Sequence, residues 1–234
     1  MDQATVLNGG INNLGLSQAT SAFSEVPYEL IHFKEGDIIF KEGEESRGLY
    51  YMQTGCVKIT MKRKQSRGRT TTADYVTKLV GPGEYFGYKS LIRGGKSKGT
   101  AKAVKSTTVW LYSKDKIMMA LRSASPLVRF VLQQAVNDIG NFESVSQLHY
   151  LASVEERIAY QLILMAERFG VDSEKGIVLN LKLTRNELAQ LASTINESLS
   201  RHLTEFKNEG LIDLNGKEII ITNKPGLMAK SGNF

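Results

Sequence analysis

Between Leu183 and Arg201 the chain reads LTRNELAQLASTINESLSR. Several polar residues here are of types that can read nucleic acid. Arg201 can offer two parallel donors to guanine O6 and N7, and Glu197 can accept from a cytosine amino group. Glu197 also stands four residues before Arg201, the helical spacing at which a carboxylate can hold a guanidinium. Ser200 can bond to a base or a phosphate, and Asn196 to an adenine or a phosphate. Arg185 stands where it would touch the phosphate backbone. A glutamate facing phosphates is costly unless it reads a donor. Glu197 therefore belongs either on a base-reading face or on an ordinary solvated one.

Two short helices would have to present these groups. Thr184 and Glu187 have capping-box spacing, and Leu188, Ala189, Leu191 and Ala192 give the first helix a buried side. Ser193-Thr194 is a break. Thr194 and Glu197 have capping-box spacing again, and Leu199 and Leu203 anchor a second helix. Two short helices joined by a tight turn form a helix-turn-helix, whose second helix meets base edges near its N-terminus. The competing reading is a helical hairpin with surface charges. The next segment favours the helix-turn-helix: Gly210 to Ile221 reads as strand, Asn215-Gly216 turn and strand, a hairpin in the position of a wing.

Upstream, the first twenty or so residues are rich in Asn, Gly, Ser, Gln and Thr and read as a mobile tail. From Tyr28 to about Tyr112, short β-rich runs are punctuated by glycines, the texture of a sandwich or jelly roll. Then the period changes. Ile117, Met118 and Leu121 form a short helical face, and Pro126 stands just inside a longer helix that starts at Ser125. Leu127, Phe130, Val131, Gln134, Ile139, Phe142, Val145 and Leu148 recur on that helix at three- and four-residue spacing. Such a stripe can pack on its own barrel or pair with the same helix of a second subunit. Ser153 and Glu156 open another helix with a capping box, and Gly170 ends it.

Composition narrows the function. Cys56 is the sole cysteine, which is consistent with a reducing cytoplasm and rules out a multi-cysteine cluster or structural zinc site. His32, His149 and His202 have no metal-ligand spacing. No apolar run approaches the ~20 residues needed to span a bilayer. Met1–Gly15 lacks the basic and apolar segments of a secretory signal. No phosphate-binding loop, nucleophile elbow or paired-carboxylate constellation stands out, so the chain is not expected to be an enzyme. The net charge is +6, but Leu151–Phe234 carries ten Lys/Arg against eleven Asp/Glu. The basic excess lies outside the segment read as DNA-binding, so bulk charge is no argument for it. A sensor or adaptor whose C-terminal domain binds protein rather than DNA is the alternative, motivated by that charge.

Taken in order, these motifs resemble the CRP/FNR family of bacterial transcription regulators from about Tyr28 to Thr222. The carriers are GDIIFKEG (36–43), Leu49-Tyr50, GCVKI (55–59), GPGEYFG (81–87), VEERIA (154–159), the helix-turn-helix and the wing. The resemblance implies an α+β fold: after a tail over 1–24, a cyclic-nucleotide-binding-like jelly-roll barrel over 25–114, a dimerisation helix region over 115–152 and a winged helix-turn-helix over 153–234. It also implies a homodimer on a palindromic double-stranded DNA operator and contact with RNA polymerase. Glu197 and Arg201 fall at positions such regulators use for base reading, with a TTGA-like half-site as the expectation. Ser193 replaces the glycine usual in the turn.

In the family's nucleotide sensors, a glutamate after Phe-Gly takes a ribose hydroxyl, and an Arg-Ser or Arg-Thr pair takes the phosphate. Here Phe86-Gly87 is followed by Tyr88-Lys89, and Ser97-Lys98 stands where the pair should fall. Lys98 could supply charge but not a guanidinium fork. The usual cyclic-AMP mode is therefore not expected. Three readings stay open: no ligand, a different small molecule, or a larger anion such as a cyclic dinucleotide. Gly87, Tyr88, Arg93, Lys96, Ser97 and Lys98 are the candidate effector residues. The basic run from Lys62 to Arg69 reads as a solvated hairpin loop, or as an addition to such a site, or as a contact to flanking DNA. Cys56 reads as packed and inert.

Overall fold

The computed structural model describes residues 23, 26–63, 73–123, 125–179 and 181–232. Most of the stretch read as a tail, and residues 64–72 of the basic run and its flank, lie outside them. Phe23 is the exception within that tail. It is 4% exposed and stacks at 5.1 Å on Tyr85, with Tyr112 and Phe130 also against it. A large apolar ring gains more by filling such a slot than its ordering costs.

Eight strands follow: β1 (Glu29–Phe33), β2 (Ile38–Phe40), β3 (Gly48–Thr54), β4 (Val57–Arg63), β5 (Ala73–Val80), β6 (Tyr85–Phe86), β7 (Thr100–Ala103) and β8 (Thr107–Ser113). They form two antiparallel sheets in the orders β1-β8-β3-β6 and β2-β7-β4-β5, a jelly roll. The period-two rule selects what lies between them. Tyr50 and Met52 on β3 and Val109 and Leu111 on β8 point inward, and Val57, Val80 and Ala101 close the core from the other sheet. Gly48 is obligatory where β3 starts, because a Cβ there would lie 2.0 Å from the Tyr112 carbonyl oxygen. Cys56 is fully buried, and burial pushes its thiol up to about 12, so it stays protonated at neutral pH.

A short helix, α1 (Tyr88–Arg93), interrupts the strands; α2 (Lys114–Ser123) and the 27-residue α3 (Ser125–Leu151) follow them. The α3 stripe divides into a part that packs on the barrel and a part left exposed. Leu127 is wholly buried against its own barrel and Phe130 packs on Phe23 and Tyr85. Further along, Leu132, Val136, Ile139, Phe142 and Val145 are 57–73% exposed, at spacings of three and four. Leu132 and Val136 add to the stripe read from sequence.

The C-terminal part comprises α4 (Val154–Phe169), β9 (Val171–Ser173), β10 (Gly176–Leu179), α5 (Arg185–Leu191), α6 (Asn196–Asn208), β11 (Ile212–Asn215), β12 (Glu218–Ile221) and α7 (Lys224–Lys230). Ser153 caps α4 with the full reciprocal capping box expected of it. The β9–β10 hairpin is an addition that the sequence pattern does not announce. It extends the wing into a four-stranded sheet of order β11-β12-β10-β9. Ile158, Leu162, Leu199, Leu203 and Phe206 are the buried centre under the helices, and Cys56, Leu79 and Val104 of the barrel join the same apolar cluster. Among the described residues, no helix is long and apolar enough to cross a membrane.

Candidate nucleic-acid interface and effector recess

The helix-turn-helix is built from α5 and α6. Thr184 caps α5 with a complete capping box to Glu187, as its spacing implies. Leu188 and Ala189 are buried, and α6 packs over them through Leu199 and Leu203. The second capping box does not form. Ser193 takes φ 50, the only positive φ among the described non-glycine residues, and supplies the left-handed turn that glycine usually provides. That turn uses Thr194 to continue the crossing, its N–H donating to Ala189 O at 2.9 Å. The helix starts one residue later than expected, with Ile195 as an N-cap that has no side-chain bond. The first N–H groups of α6 are therefore left for other acceptors, and the positive helix end suits a phosphate.

On α6, Asn196, Glu197, Ser200 and Arg201 are all exposed on the N-terminal half, so one face brings four candidate reading residues together. The expected Glu197–Arg201 pair is absent. Arg201 leans instead toward Glu205, with Nε 3.9 Å from its Oε1, and lies 3.4 Å from His202 Nε2. Glu197 sits in the first turn, where the positive end of the helix already favours a carboxylate without a cation beside it. Arg185 is half-buried at the start of α5 and donates to the Gly216 carbonyl at 3.4 Å, tying α5 to the wing tip.

Two residues that sequence reasoning missed hold this unit in place. Arg157 on α4 donates to Ala152 O at 2.8 Å, Ala192 O at 3.3 Å and Ser193 O at 3.2 Å, joining the end of α3 to the helix-turn-helix turn. Gln190 on α5 docks against β5, an edge strand of its sheet. Its side-chain oxygen accepts from Val76 N–H at 2.8 Å, and its backbone oxygen accepts from the Tyr75 hydroxyl at 3.1 Å. Lys58 on β4 pairs with Glu187 beside it, and Arg168 on α4 pairs with Glu84. Burial pushes the Glu187 carboxyl up, but Lys58 and the Thr184 N–H outweigh it and leave it below the usual carboxylate range. Replacing Gln190 with Ala removes the partner that covers the β5 edge. Hydrogen exchange at the Val76 amide is expected to speed up about fivefold or more, the equivalent of about 1 kcal/mol. An unchanged rate would mean that this docking contributes nothing to protection.

The candidate effector residues divide. Gly87 and Ser97 line a narrow recess in the barrel, together with Phe40, Ser46, Arg47, Tyr50 and Ser90, closed too tightly to admit a water molecule. The side chains of Arg93, Lys96 and Lys98 are exposed. Tyr88 turns to α3, where its hydroxyl donates to Asp138, and Lys89 lies 3.0 Å from the same carboxylate. Burial pushes Asp138 up, but the Tyr88 and Lys89 bonds hold it below the usual carboxylate range.

Comparison with known proteins places both halves. Residues 30–124 match the cyclic nucleotide-binding domain family, and residues 156–230 match the Crp-like helix-turn-helix domain family. The CRP-like cAMP-activated global transcriptional regulator of Mycobacterium tuberculosis is 28% identical over 209 residues, covering 86% of this chain and 87% of that protein. The structure of FixK2 from Bradyrhizobium japonicum superposes with a TM-score of 0.73 at 18% identity, covering 89% of this chain and 100% of that one. The c-di-GMP responsive global regulator CLP of Xanthomonas campestris superposes with a TM-score of 0.65 at 20% identity, covering 88% and 97%. With a nucleotide-binding-type jelly roll, a long helix and a winged helix-turn-helix in this order, the chain belongs to the CRP/FNR family of transcription regulators.

Proposed function

We propose that this chain is a homodimeric, sequence-specific DNA-binding regulator that divides near residues 152–153 into a sensing and a reading part. The observation that carries the proposal is the α6 face: Asn196, Glu197, Ser200 and Arg201 stand exposed beside a helix N-terminus with no side-chain cap. Polar groups with unspent donors and acceptors, on the second helix of a helix-turn-helix, suit the major groove. The exposed apolar run on α3 supports a dimer, and a two-fold dimer requires a palindromic operator with half-sites about one DNA turn apart. A TTGA-like half-site and contact with RNA polymerase complete the reading by family analogy. The departures after Phe86-Gly87 and at Ser97-Lys98 support an effector other than cyclic AMP, whatever activates the mycobacterial relative. A cyclic dinucleotide, the class to which the Xanthomonas regulator responds, would need more room than the recess offers as it stands.

Selection of the purified protein against a random-sequence duplex library tests this. Enrichment of a palindrome is expected, and a library that emerges without one, or without binding, would point to the protein-binding adaptor instead. On the selected site, Arg201→Ala is expected to cost about 1–3 kcal/mol and relax one base position. Arg185→Ala is expected to weaken binding evenly across sequences, since its guanidinium serves the wing and the backbone rather than a base edge. An Arg201→Ala protein with unchanged base preference would remove α6 from the reading role.

A further inference from the structure

Within the C-terminal part, α6 departs from the capping rule that its neighbours keep. Ser153 caps α4, Thr184 caps α5 and Asn223 caps α7, each through a side-chain oxygen that accepts a backbone N–H. Ile195 stands at the same position of α6 and offers no acceptor. Isoleucine is among the poorest cap residues, where Ser, Thr, Asp and Asn are favoured. Its backbone is held in place, because its carbonyl accepts from Leu199 N–H at 3.0 Å and Leu199 is wholly buried. Its side chain is 63% exposed. Between Leu181 and Leu211 the other large apolar residues are buried or half-buried, so Ile195 alone stands exposed on the helix-turn-helix. A lone exposed isoleucine is ordinary on a protein surface. This one adjoins the exposed Asn196 and Glu197, at the end of the helix that meets base edges. A glycine would leave the first N–H groups of α6 equally free for phosphate and is a better cap. The branched side chain therefore needs its own account.

We infer that Ile195 is a specificity-determining residue that reads thymine, by packing on its 5-methyl group in the major groove. The inference rests on the reading of α6 as the helix that enters the groove, and it adds an apolar member to that face. The four polar residues there supply donors and acceptors. Arg201 suits guanine, Glu197 suits cytosine, Asn196 suits adenine, and Ser200 can serve more than one base. None of them presents an apolar group. The methyl group is the one apolar feature that a base shows in the major groove, and apolar side chains recognise it. Branching at Cβ suits the task, because it leaves isoleucine few χ1 choices and little freedom to lose on binding. Packing the two together removes apolar surface of both from water.

The test uses the full chain and the site it selects from the random-sequence library. Each thymine of the half-sites is replaced in turn by deoxyuridine, at both symmetric positions. That change removes the methyl group and leaves every donor and acceptor in place. At one position the wild type is expected to bind about tenfold more weakly, the loss of one buried methyl group in each half-site. Ile195→Ala is expected to bind the thymine site more weakly than the wild type and to bind the thymine and uracil sites alike, so that the two changes couple. Ile195→Ser restores a cap and is expected to raise the unfolding midpoint by about 2–4 °C while losing the same discrimination. The inference fails if the selected half-sites hold no thymine, if no uracil weakens wild-type binding, or if the difference persists in Ile195→Ala. An Ile195→Ser protein that loses stability and discrimination together would overturn it in favour of a structural role. A library that yields no site would overturn the regulator reading and this inference with it. A selected site whose methyl groups make no difference would overturn the inference alone.

Discussion

Phe142→Glu is expected to convert the protein to a monomer, at half the wild-type mass in sedimentation or light scattering. Phe142 is 73% exposed in the single chain, the most exposed of the five apolar residues from Leu132 to Val145. A run of that kind on a 27-residue helix is larger than a solvated surface normally presents. In a two-fold pair each substitution acts twice. Losing two phenylalanine side chains from an interface removes about 3–6 kcal/mol, a factor of about 10² to 10⁴ in the dissociation constant. Two carboxylates brought near the axis add repulsion. Operator affinity is expected to fall by about two orders of magnitude or more, because the second half-site is then no longer held at high effective concentration. Gln133→Glu, an exposed position off the stripe, serves as the control and should stay at the wild-type mass. A Phe142→Glu protein of unchanged mass would reject α3 as the interface.

Where structure is set by neighbours in sequence, it was legible. The capping boxes at Ser153 and Thr184 and the Asn215-Gly216 hairpin are decided within a few residues, and each forms as its spacing implies. Thr194 shows the limit of that logic. Its spacing to Glu197 is correct, yet the left-handed Ser193 shifts the start of α6 past it. The α3 stripe was legible as amphipathic but not as divided, because periodicity cannot say where the barrel stops covering the helix. Contacts between distant residues left no local signal. Gln190 reaches β5 over more than a hundred residues. The effector recess is likewise assembled from separate segments, with Gly87 and Ser97 lining it beside Phe40 and Tyr50. The three cationic side chains expected there, Arg93, Lys96 and Lys98, point to solvent.

Arg157→Ala is the second large effect to expect, and it falls on the joint between the end of α3 and the helix-turn-helix. One guanidinium donates to three carbonyls on two segments: Ala152 at the end of α3, and Ala192 and Ser193 in the turn between α5 and α6. Hydrogen bonds from a charged donor contribute about 1.5–3 kcal/mol each when buried. Arg157 is only half-buried, so a total loss of about 2–4 kcal/mol is the reasonable scale. The turn depends on this support, because Ser193 sits at a φ of 50 that a non-glycine residue adopts only at a cost. Arg157→Lys is expected to recover little, since an ammonium cannot span three carbonyls held by a planar fork. Ser193→Gly, which removes the strain at the turn, is expected to restore part of the stability in the Arg157→Ala background and less in the wild type. Unfolding midpoints of the four proteins measure this, with operator affinity alongside. If Arg157 acts only as a surface charge, its removal will leave both unchanged and Ser193→Gly will act equally in the two backgrounds. If it holds the turn, the two substitutions will couple, and loss of Arg157 will weaken operator binding without altering base preference, because it touches no residue of the α6 face.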